Sequence, residues 1–309
     1  MKIRKFLPLM GLAIFAYLIY KAGFNNILNS FKTINPIYLL IFLILVIIFA
    51  VIQTYKWAIL IKQQGISISF RSLLEMRFIG EFYNFVVPGR FGSLIRILYL
   101  RDKTKRNLGE VSVNVIIDKI IDTFVVFLFS IAGALLLIKH FSNLYWQIGL
   151  SLILLVLLAL FFKSKRRSMF LFKFIYKTFI PDKLKDKAME SYDLFFKNIP
   201  SFRKLIKPIL IGIIAWLLNY TSLYILADTF NINVPYIYFI TIFAIATVVT
   251  LIPITIAGLG TRELALIALF SVFSVESSKI LALAITSYIL TILLSLIGLY
   301  FSLKTDFKV

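Results

Sequence analysis

The chain contains no cysteine and a single histidine. The first absence excludes disulfides, thiolate chemistry and cysteine-ligated metals. The lone His140 sits beside Lys139 in a short linker, where it reads as a solvated side chain and not a catalytic one. Charge is scarce as well. Only 16% of the 309 residues are charged and 61% are hydrophobic, whereas a soluble domain carries about a quarter charged residues and somewhat under half apolar ones. A soluble fold is thereby excluded. Acids are the rarer sign: 14 Asp and Glu against 34 Lys and Arg leave a formal charge of +20. Basic loops against anionic lipid explain that excess in a membrane protein, so no nucleic-acid partner is expected. Also missing are GxGxxG and GxxxxGK(S/T) loops, a serine nucleophile elbow and a metalloprotease helix. ATP-driven pumping within this chain is disfavoured, and no cofactor is expected.

What the sequence does have is long apolar runs. A span needs roughly 20 apolar residues, and complete ones read at about 6–22, 36–61, 112–138, 144–163, 206–228 and 279–303. The opening "MKIRKFLPLMGLAIFAYLIYK" resembles a signal peptide but lacks an A-x-A-like cleavage site, so it reads as a retained first transmembrane helix. Two further regions, 72–101 and 236–273, are interrupted by Pro and Gly near their middle. Proline cannot continue a helix and glycine permits a reversal, so each reads as two short helices around a break. Non-helical backbone survives at membrane depth only where protein or a water-filled cavity covers it.

Two kinked spanning helices are the plainer alternative, and charge decides between the readings. If both regions are re-entrant hairpins, the termini, 62–111 and 164–205 share one compartment and hold about 27 of the 34 Lys and Arg. Lys21, Lys32, Lys139, Arg262 and Lys279 fall on the other side. This asymmetry makes the crowded side cytoplasmic, both termini included. Three spans separate the hairpins, so they enter from opposite faces. "VPGRFGSLIR" and "IPITIAGLGTR" then form a weak inverted repeat of the kind many transporters carry. The expected fold is all-α: one polytopic membrane domain over 1–309, with six transmembrane helices and two inverted re-entrant hairpins. Residues 164–205 mix Lys and Arg with Phe, Tyr and Ile, and read as a basic amphipathic segment on the inner leaflet or as a solvated linker.

The candidate site residues lie at the breaks. Gly89, Arg90, Gly92 and Arg96 mark the first, with Ser93 as a candidate helix cap. Gly258, Gly260, Thr261 and Arg262 mark the second, with Thr261 in the capping place. A helix N-terminus beside arginine suits a phosphate group. The alternative is that the arginines reach out to the headgroups, which is the reading for Arg101. Asp118 and Asp122 share a helix face, with Lys119 adjoining. Arg90 or Arg96 are their expected partners, either to hold the hairpin or to open during transport. A metal is disfavoured, because no His, Cys or D-x-D arrangement accompanies the acids. Lys56 beside Trp57 faces either the headgroups or a cavity. Glu81 and Asn84 are placed to orient an arginine, and Glu263 to pair with another helix. Trp216 and Asn219 are candidate cavity residues or interhelical contacts.

On "KW" (56–57), "VPGRFGSLIR" (87–96), "DKIID" (118–122) and "IPITIAGLGTRE" (252–263), the chain resembles the transmembrane region of lysylphosphatidylglycerol synthases, a flippase-like family. The motifs span nearly the whole chain in the expected order. Asp118-Lys119 stands where the family usually has Glu-Arg, Lys56 where it has Arg, and Ala257-Gly258 where it often has two glycines. The soluble aminoacyl transferase domain of longer members is absent, so lysine transfer is not implied. The resemblance implies movement of an anionic or polyprenyl-phosphate lipid between leaflets. A separate lipid-modifying enzyme or glycosyltransferase is an implied partner. Arg90, Arg96 and Arg262 would bind the headgroup, and Asp118 and Asp122 would position or gate them. Two other readings stay open. One is an intramembrane transferase or hydrolase using Asp122 or Glu81. The other is a non-catalytic partner subunit.

Overall fold

A computed structural model describes residues 3–32, 34–141, 144–163, 185–251, 255 and 258–304. Side chains are described over these residues except 3–11, 88–91, 157–163 and 185–188. All the regular structure among the described residues is helical. The order is α1 (Ile3–Ala22), α2 (Phe24–Phe31), α3 (Pro36–Gln63), α4 (Phe70–Val86), a 3₁₀ segment (Pro88–Ile95), α5 (Arg96–Thr104) and α6 (Leu108–Leu137). Then come α7 (Leu144–Lys163), α8 (Lys185–Lys197), α9 (Phe202–Asp228), α10 (Tyr236–Leu251), α11 (Thr261–Phe270) and α12 (Ser277–Lys304). The protein is an integral, polytopic all-α membrane protein.

Four helices, α3, α6, α9 and α12, are long and apolar enough to cross a bilayer. Shorter apolar stretches lie at Leu12–Ala22 in α1 and Leu144–Val156 in α7. Polar caps set several starts. The Asn35 side chain accepts from the Ile37 N–H and Pro36 occupies the first position of α3. Asn107 accepts from Gly109 N–H at 2.8 Å to open α6. These groups satisfy donors that a helix start leaves without intrahelical partners.

Both interrupted regions are broken where Pro and Gly fall. Helix α4 stops at Val86, the chain runs as 3₁₀ turns, and α5 resumes at Arg96. Helix α10 ends at Leu251 and α11 begins at Thr261. With 16 residues, α10 is about 24 Å long, short of a hydrocarbon core of about 30 Å. It is nonetheless buried on nearly all sides from Phe239 to Ala246, as a helix apolar all round must be.

The packing relates two halves. Helix α6 lies on α10, and α12 lies on α4, while α3 and α9 pack against each other. Exchanging α3, α4, α5 and α6 for α9, α10, α11 and α12 leaves these contacts unchanged. Glycines permit the close approaches: a Cβ on Gly133 would stand 2.7 Å from the Thr241 side chain, and one on Gly298 would strike the Phe78 backbone. The tetrads "SIAG" (130–133) and "SLIG" (295–298) mark equivalent places on α6 and α12. Helix α8 rests on the start of α6, where Asn107 Nδ2 donates to Glu190 Oε1 at 3.2 Å. The rest of the basic segment, 164–184, lies outside the described residues.

Candidate functional site

The centre of the molecule is a buried ion-pair cluster. Asp118 is fully buried, and three cations converge on it. Arg96 donates from Nη1 and Nη2 to Asp118 Oδ2, each at 3.1 Å. Arg77 Nη2 donates to the same oxygen at 3.1 Å and to the Gln53 carbonyl at 3.1 Å. Lys56 Nζ stands 3.1 Å from Asp118 Oδ1 and 2.5 Å from Asp122 Oδ1. Asp122 Oδ1 also accepts from Gln53 Nε2 at 2.8 Å and Trp216 Nε1 at 3.0 Å. The Arg96 guanidinium lies 4.6 Å over the Trp57 ring. A charge of this kind persists in a low-dielectric interior only when paired and hydrogen-bonded.

The sequence builds this locally. Asp118 and Asp122 sit one turn apart on α6 and face α3, which presents Gln53 and Lys56 three positions apart. Gly80 on α4 leaves a path for the Arg96 stem, since a Cβ there would meet Arg96 Cδ and Cγ at 3.2 Å. Asn84 Oδ1 accepts from Ser93 N–H at 2.8 Å, pinning the 3₁₀ segment back onto α4.

Beside the cluster lies a cavity of about 180 Å³. Arg77 and Arg96 reach it from the first broken region, Arg262 from the second, and Lys119 and Asp122 from α6. Glu81 completes its charged lining, so four cations face two acids. Trp216 and Asn219 line the cavity from α9. Arg262 Cζ lies 4.3 Å over the Tyr288 ring, Nη2 donates to Ser287 Oγ at 3.4 Å, and Nε stands 3.2 Å from Glu263 Oε1. No group of three or more His, Cys, Asp or Glu able to hold a metal occurs among the described residues.

The profile of the lysylphosphatidylglycerol synthase transmembrane region matches residues 8–298. The chain belongs to this family. It is similar to a UPF0104 membrane protein of Methanocaldococcus jannaschii, 25% identical over 308 residues, covering 93% of this chain and 90% of the relative. A UPF0104 membrane protein of Pyrococcus horikoshii is 23% identical over 302 residues, with 91% and 90% covered. Another, of Methanothermobacter thermautotrophicus, is 24% identical over 322 residues, with 94% and 91% covered.

Within this member of the family, several expectations need revision. Ser93 does not cap a helix: it lies inside the 3₁₀ segment, and α5 starts at Arg96 without a side-chain cap. The first break therefore offers 3₁₀ turns and not a fresh α-helical N-terminus. At the second break the cap is Gly260, not Thr261. Thr261 Oγ1 donates back to the Gly258 carbonyl at 3.1 Å. Glu263 pairs within its own segment: Oε2 accepts from Gly260 N–H at 2.7 Å, and Oε1 faces Arg262. Lys56 is fully buried behind the acids. Gly89 lies in the 3₁₀ segment, and the side chain of Arg90 lies outside the described residues. Arg101 is exposed. Arg77 and Gln53 are site residues that the sequence reading passed over. The signal was an arginine between two glutamates in the largely apolar "LLEMRFIGEF", four residues before Glu81.

Proposed function

We propose that the protein moves a phosphate-bearing anionic lipid between leaflets. The observation that supports this most is that Arg77, Arg96 and Arg262, from the two broken regions, line one cavity with Lys119. Arginines gathered at membrane depth are costly enough to be a functional signature. A headgroup phosphate would compete with Asp118 and Glu263 for these guanidinium groups through paired hydrogen bonds. Gly258, Gly260 and Thr261 would hold the backbone at the second pole, and Gly89, Arg90 and Gly92 at the first. Asp118 and Asp122 would keep the cations in place between transport events, with Lys56 behind them. The two-fold packing of the halves supports breaks that meet from opposite leaflets as re-entrant hairpins, with both termini cytoplasmic.

Hydrolysis or group transfer fits less well. Asp122 Oδ1 already accepts from Lys56, Gln53 and Trp216, so that oxygen is tied into the buried cluster. A polyprenyl-phosphate lipid and a separate enzyme that uses it fall within the proposal.

Proteoliposomes carrying a fluorescent phosphatidylglycerol test this reading. Arg96→Ala is expected to abolish translocation, and so is Arg262→Ala, which leaves the Asp118 cluster whole. A folded Arg262→Ala protein that transports at the unaltered rate overturns the headgroup role. The hairpins have their own test, made clean by the absence of cysteine. Single cysteines at Lys103 and Lys165 should label from one side and a cysteine at Lys139 from the other. Labelling of 103 and 165 from different sides removes the hairpins.

A further inference from the structure

Three hydroxyls on α12 follow one another along a single helix face: Ser287, Thr291 and Ser295, spaced four residues apart. All three line the cavity that holds Arg77, Arg96 and Arg262. Each has already given its proton to its own helix. Ser287 Oγ donates to the Ala284 carbonyl at 2.9 Å, Thr291 Oγ1 to Ser287 O at 2.6 Å, and Ser295 Oγ to Ile292 O at 2.7 Å. A hydroxyl used in this way keeps only its lone pairs. The row is therefore a set of acceptors. Thr123 and Thr247, lining residues from α6 and α10, are spent alike, on Lys119 O at 2.9 Å and Phe243 O at 2.7 Å.

Hydroxyls bonded back onto their helix are common in transmembrane helices, so the row needs independent support. Two buried polar atoms that line the same cavity supply it. Gln53 is 1% exposed, and its Nε2 is committed to Asp122, which leaves Oε1 as an acceptor with no donor among the described residues. The Ser93 hydroxyl is 5% exposed and likewise makes no hydrogen bond among them. Both residues line the cavity. A buried polar atom left unpaired costs about 1–3 kcal/mol, so atoms of this kind at a cavity wall mark a place where a ligand completes the bonding.

A phosphate accepts hydrogen bonds and donates none when ionised. It suits the guanidinium groups and gives nothing to the acceptor row. What the row can bind is a donor, either a hydroxyl or an ammonium. Charge separates the two. Of the two acids in the lining, Asp122 is engaged by three donors, and Glu81 stands 3.7 Å from Arg77. An ammonium would find no acid to itself, since Asp122 and Glu81 are engaged, Asp118 is held by Arg77 and Arg96, and Glu263 faces Arg262. We infer that the headgroup carried by this cavity has free hydroxyls beside its phosphate, as in a phosphoglycerol or a phosphorylated sugar, and no amine. The guanidinium groups take the phosphate, while Gln53, Thr291 and Ser295 take the hydroxyls.

This deepens the translocation reading and rests on it, so the test has two readouts. In the first, purified protein in detergent is offered an equal mixture of phosphatidylglycerol, phosphatidylinositol, phosphatidic acid and phosphatidylethanolamine, and bound lipid is weighed by native mass spectrometry. The two polyol lipids should be retained roughly fivefold to tenfold over the others, the value of one or two hydrogen bonds. The relative strength of glycerol and inositol distinguishes a linear polyol from a ring. In the second, fluorescent versions are followed across proteoliposomes. Thr291→Val with Ser295→Ala, two changes that preserve shape and leave Ser287 with Arg262, should bring the ratio of phosphatidylglycerol to phosphatidic acid transport close to one. Equal retention of all four lipids, preference for the amine, or a variant that keeps the original ratio overturns the inference. Selective retention without any movement in vesicles overturns translocation and leaves the cavity's ligand class standing.

Discussion

The two breaks share a pattern of Pro, Gly, Gly and Arg in the sequence, yet they solve the problem of buried charge differently. At the first, Arg77 and Arg96 come from one broken region and Lys56 from α3, and all three meet Asp118. At the second, Arg262 has its own neighbour Glu263, the Tyr288 ring and one hydroxyl. Aligning "SIAG" with "SLIG" places Asp122 of α6 opposite Ser287 of α12. An acid in one half thus corresponds to a hydroxyl in the other. The first break is locked by mutual neutralisation. The second leaves a cation 12% exposed at the cavity wall. A two-fold architecture therefore carries an asymmetric charge distribution, with a fixed pole and a more available one.

Removing an acid from each pole should expose that difference most strongly. Asp118→Ala removes the carboxylate that three cations share, leaving Lys56 with Asp122, Arg77 with Glu81 at 3.7 Å, and Arg96 without its acid. It is expected to lower stability by about 3–5 kcal/mol, the range for an unmatched buried partner. Glu263→Gln keeps an acceptor for Gly260 N–H and should cost about 1 kcal/mol. Thermal unfolding of the purified variants in detergent measures both. Equal losses would mean that the second break depends on its ion pair as much as the first does on the cluster.

Much of this was legible in the sequence because the physical signals there are local. Apolar runs of bilayer length place α3, α6, α9 and α12. The first interruption is plain because Pro88, Gly89 and Gly92 crowd into one short stretch of chain. The spacing of Asp118 and Asp122 shows a shared face, and charge at membrane depth shows that partners must exist. What the sequence could not show is which partners. Arg77 looks like the partner of Glu81 at one turn's distance, and it is 3.7 Å from it, yet its shorter contact is with Asp118 on another helix. Lys56 could face lipid or core by periodicity alone, because α3 is apolar on every side. Only the packing of α3 on α9 and α6 decides it. Cap residues misled for a similar reason. Ser93 and Thr261 carry the right chemistry, but Ser93 is held by Asn84 and the Thr261 place is set by the backbone at Gly260.

The glycines sharpen the comparison at a smaller scale, since the two breaks need them for different reasons. Gly92 has no unusual φ, but a Cβ there would strike the Tyr83 carbonyl on α4. Its role is close approach. Gly258 and Gly260 adopt φ of +80° and +84°, which side chains with a Cβ rarely do. Their role is conformation. Gly92→Ala must push the 3₁₀ segment off α4 and disturb Ser93 and Arg96 with it, so a loss of about 2–3 kcal/mol is expected. Gly258→Ala meets Thr250 Cγ2 at 2.5 Å and Cβ at 2.9 Å, a side-chain contact that a small shift of Thr250 relieves, and adds a left-handed backbone cost of about 1–2 kcal/mol. The two should also part in kind. Gly92→Ala should weaken phosphatidylglycerol retention together with stability, because Arg96 shifts with the segment. Gly258→Ala should lower the unfolding temperature less and leave Arg96 seated on Asp118. A Gly92→Ala protein as stable as the unaltered chain would show that the first break is loose against α4, and the contrast between a locked and an available pole would fail at its base.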